Sequence, residues 1–340
     1  MGRAARTAGP AMRVLVTGGG GFLGEAVCRR LTARGDTVHA LQRHHSPALA
    51  ALGVVQHLAD VRDRAAVTAA VAGCEAVVHC AAKAGVHGRD RDYEEINVSG
   101  TRNVLDACAR HGALLVHTSS PSVVHDGRDL EGVDESVPYA RRFPAAYPRT
   151  KAEAERLVLA DAAAGRVTAV ALRPHLIWGP GDPHFLPKLV AGRRLLWLLG
   201  ETDKSIDTTY VGNAADAHLL ALDRLRPGSP VAGRAYFVTQ GEPCGFGEWL
   251  GLLLRAAGLP PVTRRAPAGP VLRAARLLER ARRLPLTGRL PPLLFLVEQA
   301  STAHWFDISA ARRDLGYRPR VSMAEGLARL TAHLSAGSAR

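Results

Sequence analysis

At 340 residues and 47% hydrophobic content, the chain can bury a large core, as one large domain or two coupled ones. Its longest purely apolar run, 293–297, falls far short of the roughly 18 residues of a membrane span, so a soluble protein is expected. The formal charge of +13 invites nucleic acid, but the arginines are spread over the whole chain and form no stripe, so no nucleic-acid partner is expected.

Residues 1–11 carry Arg3 and Arg6 without the apolar segment of a secretory signal and read as a flexible tail. Arg13-Val14-Leu15-Val16-Thr17 is an aliphatic, β-branched run, followed by a glycine cluster and then by the helical spacing Phe22, Leu23, Ala26, Val27, Leu31. Strand, tight turn and helix in that order make a phosphate-binding unit. Gly18, Gly20, Gly21 and Gly24 let the backbone approach a pyrophosphate, and the helix opening at Phe22 and Leu23 offers free N–H groups at the positive end of its dipole. Further strands are predicted at 37–41, 54–58, 76–79, 113–118 and 167–172, separated by helical patterns that include 65–71, 96–110 and 151–164. This alternation implies an α/β fold, a Rossmann-type doubly wound parallel sheet whose ligands bind beyond the carboxyl ends of the strands.

The expected NAD(P)-binding domain is 12–180. Beyond it, proline and glycine punctuate a smaller substrate-binding lobe, 181–335, with a segment near 205–240 returning to the sheet and a tail at 336–340. The five cysteines include no C-x-x-C pair and read as reduced thiols of a cytoplasmic protein, and the histidines show no metal-ligand spacing, so no metal is expected.

The strand 37–41 ends about twenty residues past the glycine turn, where an acidic residue holds the adenosine 2′-hydroxyl of NAD. Gln42-Arg43 stand there instead, and an arginine suits the extra phosphate of NADP, so NADP(H) is preferred with NAD(H) as the alternative. Asp60 and Val61, at the end of the third strand, are placed to pair with the adenine amino group and to pack its ring. Tyr147 and Lys151 lie four apart at a helix start, hence on one face. A nearby ammonium favours ionised tyrosine, which brings a phenol from about 10 toward working pH, as a general acid or base requires. Ser119-Ser120 close the fifth strand, where chemistry on such a sheet belongs.

These motifs together resemble the extended short-chain dehydrogenase/reductases: Thr17-Gly18-x-x-Gly21-x-x-Gly24, Asp60-Val61, Cys80-Ala81-Ala82, Asn97-Val98-x-Gly100-Thr101, Thr118-Ser119-Ser120, Tyr147-x-x-x-Lys151 and Arg173-Pro174. Within that superfamily the chain is similar to the 3β-hydroxysteroid dehydrogenase group, and inside it to the 2-alkyl-3-oxoalkanoate reductases of long-chain olefin and β-lactone biosynthesis. That likeness rests on segments such as 79–85, 118–123, 172–182, 207–218 and 311–317. It implies that Tyr147 donates a proton to a ketone as the nicotinamide delivers hydride, that Lys151 holds the nicotinamide ribose and lowers the tyrosine pKa, and that Ser120 binds the carbonyl oxygen. Ser119 or Ser122 can share that last role.

By the same resemblance Cys80, Ala81, Ala82 and Pro174 line the cofactor, with Cys80 standing where many members carry asparagine. A hydrophobic 3-oxo acid is the expected substrate, and Lys83 is the candidate cation for its carboxylate. Neighbouring pathway enzymes and a second copy of the chain are the protein partners considered. The rivals are a 3β-hydroxysteroid or sterol-carboxylate dehydrogenase, a sugar-nucleotide epimerase, and a silent NADP-sensing scaffold of the same fold.

In the second half, apolar stretches at 185–198 and 290–297 favour a greasy substrate, although most such side chains are expected in the core. A basic amphipathic helix at 271–284 has two readings: peripheral contact with an anionic membrane or acidic partner, or an ordinary cover over the substrate pocket with its arginines in water.

Overall fold

Side-chain alternation along seven short strands builds the centre of the molecule, of which the computed structural model describes residues 11–86, 88–282 and 292–338. The strands β1 (Arg13–Thr17), β2 (Thr37–Gln42), β3 (Val55–Leu58), β4 (Ala76–His79), β5 (Leu114–Thr118), β6 (Ala169–Pro174) and β7 (Ala235–Val238) pair in parallel in the order β7-β6-β5-β4-β1-β2-β3. Val14 and Val16 of β1 pack with Val27 and Leu31 of α1 (Phe22–Arg34) and Leu222 of α5 (Val211–Arg224). Leu15 between them belongs to the opposite core, with Val67 of α2 (Arg64–Val71), Val104 of α3 (Gly100–His111) and Val158 of α4 (Ala146–Ala163). Apolar residues in both directions leave the inner strands buried on both faces, as a helix-covered parallel sheet requires, whereas the edge strand β3 exposes Val55 and Leu58. The strand order reverses between β1 and β4, and there the connections diverge to open a crevice at the carboxyl ends.

The expected Rossmann-type sheet is therefore present, with three local departures. The helix expected over 96–110 is instead Asp90–Tyr93, a π-helical turn Glu94–Ser99 and α3. The wide turn coincides with Asn97, which is tied by its side chain to other segments, a common setting for such turns. A strand at Leu130–Val133, unreadable from a Leu-Glu-Gly-Val run without alternation, leaves the first half to join a four-stranded sheet with Cys244–Gly245, Ser205–Ile206 and His304–Phe306. The last helix, Met323–Ser338, runs past the expected boundary at 335, so part of the expected tail 336–340 is helical.

Helices Phe185–Gly192, Phe246–Ala256 and Met323–Ser338 enclose the second core around Trp178, Tyr210, Trp249 and Leu253. The segment near 205–240 returns to the first domain: α5 packs on α1, and β7 closes the sheet edge. Residues 1–10, 283–291 and 339–340 lie outside the described residues, and with them most of the expected N-terminal tail and the end of the expected 271–284 helix, here Ala268–Arg282. Among the described residues no helix is long and apolar enough to cross a membrane, and the five cysteines are unpaired.

Candidate active site

The glycine turn is shaped by contact rather than by flexibility alone. Gly18 has φ +69°, its N–H donates to Leu41 O at 2.7 Å, and a Cβ there would sit 2.9 Å from Ala81 backbone atoms. A Cβ on Gly24 would lie 2.0 Å from Gly18 O, so α1 can pass this close to the turn only through a glycine. Gly20 and Gly21 are exposed at the crevice, and no side chain caps α1, which leaves the first-turn N–H groups from Phe22 and Leu23 without the usual partner. A glycine cradle beside an uncapped helix N-terminus fits a pyrophosphate.

Behind the turn, Thr17 Oγ1 bonds His79 Nδ1 at 2.6 Å and accepts from Ala81 N–H at 3.3 Å, joining β1 to the segment Cys80-Ala81-Ala82. Burial pushes His79 down to about 3, so its imidazole is neutral, and raises the Cys80 thiol to about 11. Asn97 then pins this segment to α4. Its Oδ1 accepts from Lys83 N–H at 2.7 Å, and its Nδ2 donates to Lys83 O at 3.1 Å and to Thr150 Oγ1 at 3.0 Å.

Tyr147 and Lys151 lie one turn apart on α4 and face the end of β5. Lys151 is 4% exposed and donates to Thr118 O. Burial pulls its ammonium down to about 8, against an opposing pull from Glu155 and Cys80. The Tyr147 phenol moves the other way from expectation: burial raises it, and a hydrogen bond from Ser120 acts in the lowering direction without reversing it. The ammonium that was expected to lower the phenol is directed at the Thr118 carbonyl. Ser122 donates to Ser120 Oγ from both its N–H, at 3.2 Å, and its hydroxyl, at 3.0 Å, so Ser120, Ser122 and Tyr147 form one group. Ser119 is buried beside Glu155 instead, which separates it from that group.

One turn beyond Lys151, Glu155 is fully buried and receives Arg173 in a fork, Nη2 to Oε1 at 2.6 Å and Nε to Oε2 at 3.0 Å, and also Tyr139 OH at 2.6 Å. Burial opposes its charge, but these donors together hold the carboxyl below its ordinary value. Sequence reading singled out neither Glu155 nor Asn97 as a site residue. The signal available for Glu155 was its spacing, four beyond Lys151 and eight beyond Tyr147, on the same helix face. Pro174 ends β6 with its register set by Val238.

The other end of the crevice is looser. Gln42 is buried and donates to Gln56 Oε1 at 2.8 Å, which also accepts Ser46 N–H at 2.8 Å, so the 43–46 loop is held by amides. Arg43 is exposed and forms no ion pair among the described residues. Both Asp60 oxygens are taken by Arg62, at 3.0 and 2.9 Å, and this pairing keeps the carboxyl below its ordinary value. Val61 is buried against Gly100, so its side chain belongs to the core rather than to a ring-stacking surface. Lys83 Nζ lies 3.7 Å from Asp92 and 5.2 Å from the Tyr93 ring centroid, an already partnered cation.

Most of the apolar run 185–198 is core: Leu186, Leu189 and Leu198 pack with Trp249 and Leu253. A cleft of about 330 Å³ between Leu186, Val190, Leu259, Leu330 and Leu334 shares none of the residues around Tyr147. Among the described residues there is no cluster of three or more metal-binding side chains.

The model of the 3-beta hydroxysteroid dehydrogenase/isomerase family matches residues 15–266. The chain is 47% identical to a 2-alkyl-3-oxoalkanoate reductase of Stenotrophomonas maltophilia over 331 residues, covering 96% of this chain and 100% of that one. It is 45% identical to a 2-alkyl-3-oxoalkanoate reductase of Shewanella oneidensis, covering 94% and 85%. Among solved structures, a UDP-glucose 4-epimerase of Thermus thermophilus in complex with NAD superposes with a TM-score of 0.70 at 28% identity, covering 95% of this chain and 99% of that one. On fold, motif order and this similarity, the chain belongs to the 3-beta hydroxysteroid dehydrogenase/isomerase family.

Proposed function

We propose that this chain is an NADPH-dependent reductase that converts 2-alkyl-3-oxoalkanoic acids to 2-alkyl-3-hydroxyalkanoic acids, a step toward long-chain olefins or β-lactones. The observation that carries this reading is 47% identity to the Stenotrophomonas reductase over that enzyme's whole length. The glycine turn and the uncapped α1 suit the pyrophosphate of a nicotinamide dinucleotide, like the NAD held by the Thermus epimerase. A neutral Gln42 and an unpaired Arg43 favour the 2′-phosphate of NADPH, because a carboxylate at that point repels it.

When bound, the nicotinamide supplies the hydride that reduces the ketone carbon. The chain's own part is proton chemistry at the oxygen. Ser120, oriented by Ser122, hydrogen-bonds the ketone oxygen, and Tyr147 gives it a proton. A phenol raised by burial stays protonated until charge develops on that oxygen, which suits the reducing direction. Lys151 stabilises the phenolate left behind and holds the ribose. For the substrate carboxylate, Lys83 serves only by exchanging Asp92 for it.

The family match keeps 3-oxosteroids as the second reading. NADPH oxidation measured with a 2-alkyl-3-oxo acid beside a 3-oxosteroid separates the two. Turnover of the acid is expected, and turnover of the steroid alone overturns the proposal.

A further inference from the structure

We propose that the helix Ala268–Arg282 and the adjoining loop before Leu198–Leu199 form an interfacial ledge that docks onto an anionic lipid surface. The helix is seated the wrong way round for an ordinary cover. Its inward face is Ala275, buried, with half-buried Val271, Leu272 and Glu279, which leaves its two central leucines unburied. Ala274, Leu277 and Leu278, three and four apart and so on one face, point outward, with Leu277 63% and Leu278 43% exposed. Arg273, Arg276 and Arg280, at the same helical spacing, run alongside that leucine face rather than opposite to it, and all three are exposed. A helix that only roofed a pocket would bury its leucines and leave arginines to water.

The ledge continues through the neighbouring backbone. Arg265 and Ala266, just before the helix, pair with Leu198 and Leu199, and directly ahead of these lie Leu195, 84% exposed, and Trp197, 51% exposed. Arg264 lies over the Trp197 ring at 5.9 Å from its centroid. The helix Leu293–Ser301, which packs on Ala268–Arg282, adds Leu296 at 43% exposed. Among the described residues Arg194, Arg273 and Arg280 form no ion pair, Arg264 and Arg265 donate only to the backbone carbonyls of Arg194 and Gly200, and Arg276 acts on the Glu298 carboxyl from beyond ion-pair distance. Exposed leucines and a tryptophan beside exposed guanidiniums complement a bilayer surface: the apolar groups enter the headgroup boundary while the arginines, Arg273 and Arg280 foremost, reach lipid phosphates. The formal charge of +13 adds long-range attraction to the same surface.

The test is co-sedimentation of the full chain with phosphatidylcholine vesicles with and without about 30% phosphatidylglycerol, at about 0.15 M salt. Binding is expected only with the anionic lipid. R273Q, R276Q and R280Q should each weaken it roughly fivefold, and the L277S/L278S pair roughly tenfold or more. NADPH-linked turnover of a short, water-soluble oxo acid, or far-ultraviolet circular dichroism where no turnover exists, confirms that each variant is folded, so the outcome does not depend on the substrate reading. Absence of binding to anionic vesicles overturns the proposal, as does unchanged binding by folded L277S/L278S. A concentration-dependent dimer lost in L277S/L278S, without vesicle binding, assigns the ledge to a second copy of the chain and overturns it equally.

Discussion

At the Tyr147 end of the crevice, Lys151, Glu155 and Arg173 are 4%, 0% and 3% exposed, and each is fixed by named partners. At the Arg43 end the side chain proposed to meet the cofactor phosphate is exposed and makes no ion pair among the described residues, and the Asp60 carboxyl is held down first by Arg62 and, more weakly, by the nearby Arg43. Buried charges that lose a partner cost several kcal/mol, whereas exposed ones shift binding by about one. The end proposed to react is therefore rigid and unforgiving, and the end proposed to select the cofactor is adjustable.

The sharpest way to break that contrast is Tyr147→Phe. Loss of the proposed proton donor should lower turnover by about 10³-fold, roughly 4 kcal/mol of transition-state stabilisation, with NADPH affinity held. Stopped-flow reduction beside a direct NADPH titration checks both halves. Retained turnover would remove Tyr147 from the chemistry and leave the fold assignment standing.

Glu155→Gln probes the support beneath it. Removing the carboxylate leaves Arg173 buried without its counter-charge, and a stability loss of about 3 kcal/mol by urea unfolding is expected. A purely structural role would end there. A positioning role predicts a second effect, because Glu155 raises the Lys151 ammonium against the burial that pulls it down to about 8. In the proposed mechanism protonated Lys151 is the working form, so turnover should fall as pH rises through about 8, and the variant should lose turnover at lower pH than the parent. An alkaline limb in the same place for both proteins would reduce Glu155 to a structural pair.

The same contrast explains what could be read from sequence. Gly18, Gly24, Tyr147 and Lys151 are nominated by short fixed spacings, and Ser120 by its place at a strand end, so pattern alone is enough to propose them. Asn97, which ties Lys83 to Thr150, and Thr17, which ties His79 to Ala81, depend on partners brought together by the fold. The direction of the Tyr147 shift was misjudged for a related reason. Spacing shows that a lysine is near, but not that its ammonium points at Thr118 O while burial dominates the phenol. An exposed side chain such as Arg43, proposed to select the cofactor, carries no such context, and the packing of the Val61 side chain against Gly100 is visible only in the fold.

Arg43→Ala tests the adjustable end and has the smallest expected effect. Its exposed guanidinium makes no direct ion pair among the described residues, and the nearby Asp60 keeps its fork from Arg62, so folding stability should stay within about 0.5 kcal/mol of the parent. The KM for NADPH should rise roughly tenfold, about 1.4 kcal/mol, while that for NADH is unchanged, because only NADPH carries the phosphate this arginine is placed to meet. A parallel rise for both cofactors would assign Arg43 to general positioning of the 43–46 loop. No change for either would move selection to that loop's amide-held backbone, where Gln56 fixes Ser46 without offering a charge.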